Sequence, residues 1–212
     1  KDFSPISALG RSEVILAVHP SVPANDLKGF ISYAKANPGK INVSSPSTTN
    51  TLVYQVFMNL TGVKLTIVNY KGGPQAMTDL VSGTIQASST NISNVQAFIK
   101  AGKLKGIAYT GNKRSPLLPD VPTYLEAAGL KDVDSNNWFV LLAPVKTPRD
   151  ILEKMNSAVH KAQEAPEVIN AIAKLGFDPS PTTVTQADAF MRTETDRFGK
   201  LIKDSGLKAE GS

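Results

Sequence analysis

The chain contains no cysteine, which excludes disulfides, thiolate catalysis and cysteine-held zinc or iron–sulfur centres. Histidine is nearly absent as well, with only His19 and His160. No His-x-x-x-His pair, Gly-x-Ser-x-Gly elbow, Walker loop or Gly-x-Gly-x-x-Gly fingerprint occurs. A metal site or a hydrolytic triad is therefore hard to assemble, and no catalytic residue, metal or cofactor is expected. No apolar run approaches the ~18 residues that a membrane span requires. Internal repeats of 20–50 residues and low-complexity tracts are lacking too. What remains is an ordinary globular composition, 41% hydrophobic and 19% charged over 212 residues, enough for one large domain or two small ones.

The net charge of +5 is unevenly placed. Residues 1–135 carry 13 Lys/Arg against 8 Asp/Glu, whereas residues 136–212 carry 10 of each. The excess gathers around Lys100, Lys103, Lys105, Lys113 and Arg114. Such a bias concentrates small anions. It falls short of the basic stripe with interleaved aromatics that would indicate nucleic acid, so no nucleic-acid partner is expected.

Short apolar runs at 14–18, 65–68, 106–109 and 139–143 read as buried strands. Between them lie segments of helical period with legible ends. Residues 26–36 put Leu27, Phe30, Ile31 and Ala34 on one face and stop at Pro38-Gly39. Residues 51–60 present Leu52, Val56 and Leu60 and end at Gly62. Others run from Pro74 to Gly83, from 95 to 100 and from 123 to 128. This alternation implies an α/β fold with a mostly parallel, buried sheet. From Pro148 onward the pattern is mainly helical, over 149–164, 167–175 and 186–204. The boundaries are expected at 1–18; 19–135, an α/β lobe; and 136–212, a return strand with a helical tail.

Three polar segments stand where strands meet helices. The run Ser44-Ser45-Pro46-Ser47-Thr48-Thr49-Asn50-Thr51 follows a strand near 41–43 and supplies six hydroxyls and one amide. A simple helix cap uses one hydroxyl, so the surplus points to a ligand at a helix start, where free N–H groups and the dipole both favour an anion. The second segment is Asn69-Tyr70-Lys71-Gly72-Gly73-Pro74, whose glycines permit close backbone approach. The third, Ser88-Ser89-Thr90-Asn91, reads as a loop after a strand at 84–87. In a parallel sheet, loops beyond the carboxyl ends of strands line the ligand crevice. The candidate ligand contacts are accordingly Ser44, Ser45, Ser47, Thr48, Thr49, Tyr70, Gly72, Gly73, Ser89, Thr90 and Asn91, with Asn136 and Asn137 facing them. A rival reading, a small enzyme acting on an anionic substrate, needs His19 or Lys71 as a base beside Ser45.

The ordered motifs resemble the Bug family. They are Lys1-Asp2-Phe3-Ser4-Pro5-Ile6, Tyr70-Lys71-Gly72-Gly73-Pro74-Gln75-Ala76 with Asp79-Leu80 and Gly83, and Ala101-Gly102-Lys103-Leu104. Arg114-Ser115-Pro116, Pro119-Asp120-Val121-Pro122-Thr123, Trp138-Phe139, Ala143-Pro144 and Thr147-Pro148 complete the series. The resemblance implies a type II periplasmic-binding-protein-like fold, two α/β lobes joined by hinge strands and closing on a small organic anion. It implies a periplasmic receptor that passes a di- or tricarboxylate, an amino-acid-like acid or an aromatic acid to the membrane subunits of a tripartite tricarboxylate transporter. A ligand sensor for a membrane signalling partner is the alternative within that framework. Family members carry roughly a hundred further residues before the match begins, a domain-sized piece. The resemblance therefore implies an incomplete first lobe, with 1–18 a hinge strand and remnant of it. Apolar faces at Leu152, Met155, Val159, Ile169, Ile172, Phe190, Phe198 and Leu201 are expected to be left open, which favours self-association. The family's counterpart of the Ser44–Asn50 run is usually glycine-rich, and here Ser and Thr replace those glycines.

Overall fold

Strand β1 (Phe3–Ser12) and strand β2 (Val14–Val18) are separated by one residue, Glu13, yet belong to different sheets. The computed structural model describes residues 2–130, 133, 137–174 and 177–205. The chain divides into one unit of Lys1–Ser12 with Asn137–Ser212 and a second of Glu13–Asn136. Residues 14–18, grouped by sequence with the first lobe, thus lie in the second unit's sheet.

The second unit runs β2, α1 (Leu27–Ala36), β3 (Asn42–Ser45), α2 (Thr48–Thr61), β4 (Thr66–Asn69), α3 (Gly73–Ser82), β5 (Ala87–Asn91), α4 (Ile92–Lys100), β6 (Lys105–Tyr109) and α5 (Tyr124–Ala128). Its sheet has the order β4-β3-β5-β2-β6. Strands β4, β3 and β5 are parallel neighbours, but β2 runs antiparallel to both β5 and β6. The expectation of a mostly parallel sheet is corrected to a mixed one. Strand β2 is reached directly from β1 rather than through a helical crossover, so the crossover rule does not fix its direction.

Every residue of β2 is buried, and its alternation divides two cores. Leu16 and Val18 join Leu27, Phe30, Phe57 and Tyr124 under α1, α2 and α5, while Ile15 and Ala17 join Leu80, Ile92 and Val95 under α3 and α4. A strand covered on both faces needs a continuous apolar run, which is how this one reads. Helix α1 begins because Asp26 accepts the Gly29 N–H at 2.7 Å, and it buries the stripe Leu27, Phe30 and Ala34. Helix α2 starts three residues earlier than expected and turns a different face inward. Leu52, Tyr54, Phe57 and Thr61 are buried, while Leu60 is 46% exposed. The Phe57 ring reaches Phe30 (6.3 Å) and Tyr124 (6.1 Å), burying more apolar area than Val56 and Leu60 could. Gly62 closes the helix at φ 73°, a conformation costly for any side chain with a Cβ.

The first unit contains β7 (Asn137–Pro144), α6 (Arg149–Gln163), α7 (Pro166–Lys174), β8 (Asp178–Pro179) and α8 (Val184–Ser205). Residue 175, expected at the end of α7, lies outside the described residues. Strand β1 pairs antiparallel with β7 on one side and β8 on the other, with register shifts between Pro5 and Ser7 and between Ala8 and Gly10. The unit's buried apolar cluster is small: Ile6, Ala143, Leu152 and Val184. Polar staples supplement it. The Asn156 Nδ2 donates to the carbonyls of Ile6 and Thr182, each at 2.7 Å, and the Thr182 Oγ1 accepts the Ala8 N–H at 2.9 Å. Of the residues expected to remain open, Met155 and Ile169 are 40% and 41% exposed, whereas Leu152 is buried. Trp138 sits edge-on to Phe190 and donates its Nε1–H to Glu194 at 3.0 Å.

Candidate functional site

The carboxyl ends of β4, β3 and β5 are adjacent. Ser45 is in register with Asn69, and Val43 with Ala87. Three helices, α2, α3 and α4, start from these ends, so three sets of first-turn N–H groups collect along one edge of the sheet. Strand β2 contributes its amino end there, with Val14 opposite Asn91. The same edge therefore receives the chain as it arrives from Ser12. Across the three polar segments Lys71 is the sole formal charge, and it is exposed.

Hydrogen bonds sort the candidates into those consumed by the scaffold and those left over. Ser44 and Ser45 are strand residues rather than loop residues. Ser44 is fully buried and donates to the Ser88 Oγ at 2.7 Å. Ser45 donates to the Ser47 carbonyl at 2.9 Å and lies 2.7 Å from the Thr51 hydroxyl. The segment Ser88–Asn91 likewise belongs to β5 and not to a loop, because its hydroxyls and amides find partners inside the fold. The Ser89 N–H donates to the Tyr54 hydroxyl at 2.7 Å, and its carbonyl accepts Asn50 Nδ2–H at 3.1 Å. Thr90 accepts from Asn94 at 3.1 Å. Asn91 stands at the start of α4 without a side-chain cap bond to it.

Ser47 caps α2. It donates to the Asn50 Oδ1 at 2.7 Å and receives the Asn50 N–H at 3.4 Å, while the Thr51 N–H bonds the Ser47 carbonyl. Among the described residues, the N–H groups and hydroxyls of Thr48 and Thr49 have no protein partner. Gly72 precedes α3 without a side-chain cap, and a Cβ on Gly73 would meet nothing within 4 Å. Tyr70 is half-buried. Its N–H donates to the Ser45 carbonyl at 3.0 Å and its hydroxyl to the Asp79 Oδ2 at 2.7 Å. Burial first, and the Asp79 carboxylate second, push its pKa up to about 12, so it stays a hydrogen-bond donor. Asn136 lies outside the described residues; Asn137 opens β7 in the first unit.

Three residues outside the candidate ligand contacts organise this edge: Asn50, Tyr54 and Asp79. Asn50 was visible only as one amide in a hydroxyl-rich run. Tyr54 was hidden by the assignment of Leu52, Val56 and Leu60 to the buried face.

The enzyme reading loses its strongest candidate base, His19. The His19 N–H bonds the Gln86 carbonyl at the amino end of β5, and its Nδ1 accepts the Ser21 N–H at 3.2 Å. The length of β5, about 13 Å for its four steps, separates that end from Asn91. Among the described residues no group of three or more His, Asp or Glu could hold a metal ion, and no helix is long and apolar enough to cross a membrane. A groove of about 370 Å³ between α3 and α4 is lined by Met77, Thr78, Val81, Ser82 and Phe98. Its walls are mainly apolar and offer no helix start.

Residues 1–207 match the family model described as tripartite tricarboxylate transporter family receptor. The chain belongs to this family, TctC. A TctC-like relative, the UPF0065 protein in the tcbD-tcbE intergenic region of Pseudomonas sp. (strain P51), is 30% identical over 211 residues, 99% of this chain and 63% of the relative. The structure of R. palustris Rpa4515 with adipate is 27% identical with a TM-score of 0.85, covering 97% of this chain and 69% of that one. MatC from Rhodopseudomonas palustris with bound malate is also 27% identical, with a TM-score of 0.78 over 94% of this chain and 69% of MatC. These likenesses establish the periplasmic-binding-protein fold expected from the sequence motifs. The chain spans 63%, 64% and 61% of the length of three curated relatives that it matches.

Proposed function

We propose that this TctC-family chain serves in a periplasmic receptor that binds a small carboxylate without transforming it and presents it to the membrane subunits of a tripartite transporter. The observation that carries the reading is the gathering of three helix starts on one sheet edge of the second unit. Among the described residues, the N–H groups of Thr48 and Thr49 there remain unused by the protein. Each helix N-terminus contributes about 0.3–1 kcal/mol to holding an anion, so three together contribute roughly 1–3 kcal/mol before any hydroxyl is counted. The groups that meet the ligand are the N–H and hydroxyl groups of Thr48 and Thr49, the Gly72–Gly73 backbone and the Thr90–Asn91 end of β5. Ser44 and Ser45 support them from within. Adipate and malate in the two solved relatives support a carboxylate as the ligand class.

Isothermal titration of the chain against mono-, di- and tricarboxylates and aromatic acids tests the reading. Saturable binding of at least one acid is expected. A folded chain that binds none of them refutes it.

A further inference from the structure

The loop that joins β4 to α3 is poorly packed for a segment that must hold a ligand. Lys71 and Gly73 are exposed, Gly72 caps nothing with a side chain, and Gly73 faces open space. Two glycines in succession also make its backbone the most permissive of the three helix starts. Only its flanks restrain it. Pro74 fixes the helix entry on one side. On the other, Tyr70 is bonded twice, through its N–H to Ser45 of β3 and through its hydroxyl to Asp79. Asp79 lies on α3, nine residues further along. The hydroxyl–carboxylate bond therefore spans the loop and ties its first residue to the helix that the loop begins.

We propose that Asp79 is a positioning residue: by holding the Tyr70 hydroxyl, it fixes the Lys71–Gly73 backbone in the conformation that receives a ligand carboxylate. This rests on the receptor reading above. It gives Tyr70 a role other than ligand hydroxyl, since its proton is committed to Asp79. It also explains how a carboxylate is tolerated near an anion site, because the Asp79 oxygen faces a donor that stays protonated. Loop ordering completed before binding is entropy that the ligand does not have to supply.

Three variants test it: Tyr70→Phe, which removes the donor; Asp79→Ala, which removes the acceptor; and Asp79→Asn, which keeps an acceptor oxygen without the charge. Backbone order parameters of Lys71, Gly72 and Gly73 are measured by NMR relaxation, with Thr48 and Thr49 as a control helix start and Leu80 and Ile85 as core reporters. Adipate and malate binding is measured in parallel. The loop's order parameters are expected to fall toward about 0.6 in Tyr70→Phe and Asp79→Ala, with both controls unchanged. Asp79→Asn is expected to restore most of the order while lowering the alkaline titration midpoint of Tyr70, and affinity should follow the same ranking. Unchanged loop order, or order that falls equally at Leu80 and Ile85, overturns the proposal, as does unaltered affinity in Asp79→Ala. A wild-type chain that binds neither adipate, malate nor any other acid overturns the receptor reading instead. The strap is then judged on the loop order alone.

Discussion

Replacing Ser44 with alanine separates a scaffold hydroxyl from a ligand hydroxyl. Ser44 is fully buried and donates to Ser88 at 2.7 Å, so its proton is committed. Beside it, the Tyr54 oxygen accepts the Ser89 N–H at 2.7 Å. Burial raises the Tyr54 pKa and keeps its hydroxyl protonated. Ser44→Ala removes the Ser44–Ser88 bond, which joins β3 to β5, and leaves the Ser88 hydroxyl without that partner in the interior. At about 1 kcal/mol for the net bond, with some penalty for the stranded hydroxyl, the loss is about 1–2 kcal/mol.

The chain offers a natural way to read that loss. All five tyrosines lie in the second unit and the single tryptophan, Trp138, in the first. Near-ultraviolet tyrosine dichroism thus follows one unit on heating, and tryptophan fluorescence follows the other. The tyrosine transition is expected to fall by roughly 4–8 °C while the Trp138 signal stays put. Adipate or malate affinity should remain within about twofold at a temperature where the variant is folded. A variant with an unchanged tyrosine transition and a tenfold weaker acid affinity would refute the assignment of Ser44 to the scaffold.

Asn156→Ala strands the Ile6 carbonyl at a register shift of β1, so it should cost about 1–3 kcal/mol and move the Trp138 transition instead. Gly83→Ala combines a φ of 80° with a Cβ placed 2.8 Å from the His19 ring; a loss of about 2 kcal/mol or more in urea unfolding checks it. Glu126 completes a capping box with Thr123 and pairs with Arg114 at 3.0 Å. Its pKa is held below the ordinary 4.5, chiefly by the Thr123 backbone N–H and further by Arg114. Because the folded form binds its proton less readily, the stabilisation is fully present above the unfolded pKa and lost as pH falls through the folded one. The stability difference between wild type and Glu126→Gln should therefore narrow below about pH 4.5 on urea titration at stepped pH. A difference that widens there would contradict the assignment.

Elements with local causes were legible in the sequence. Asp26, Gly62, Pro74 and Gly83 marked helix ends from neighbours within a few residues, and the run Val14–Val18 announced a strand covered on both faces. Elements with distant causes were not. Strand β5 reads as polar loop because Tyr54 and Asn50, 35 and 39 residues away, satisfy its Ser89 backbone. Strand β1 contains Pro5 and Gly10, and it is held by β7 and by Thr182, 174 residues from its partner Ala8. The phase of α2 turned on whether Phe57 could reach Phe30 and Tyr124, a question of tertiary packing that periodicity does not answer.

The same distinction governs the site. Residue type singled out three chain segments that the fold brings to one sheet edge, because helix starts and paired glycines are local signals. It could not say which hydroxyls would face a ligand, since a serine becomes scaffold as soon as another element takes its proton and its lone pairs. Ser44 and Ser45 are spent in this way, on partners that also fix a neighbouring strand or helix, whereas Ser89 is held through its backbone. Thr48, Thr49 and Gly73 escape because the first turn of a helix has no carbonyl to offer its own N–H groups. The donors available to a carboxylate are thus the remainder after the fold has satisfied itself. They are backbone dipoles aimed along three helix axes, so in the proposed receptor an anion would be recognised through their fixed direction, without a buried cation and its desolvation cost.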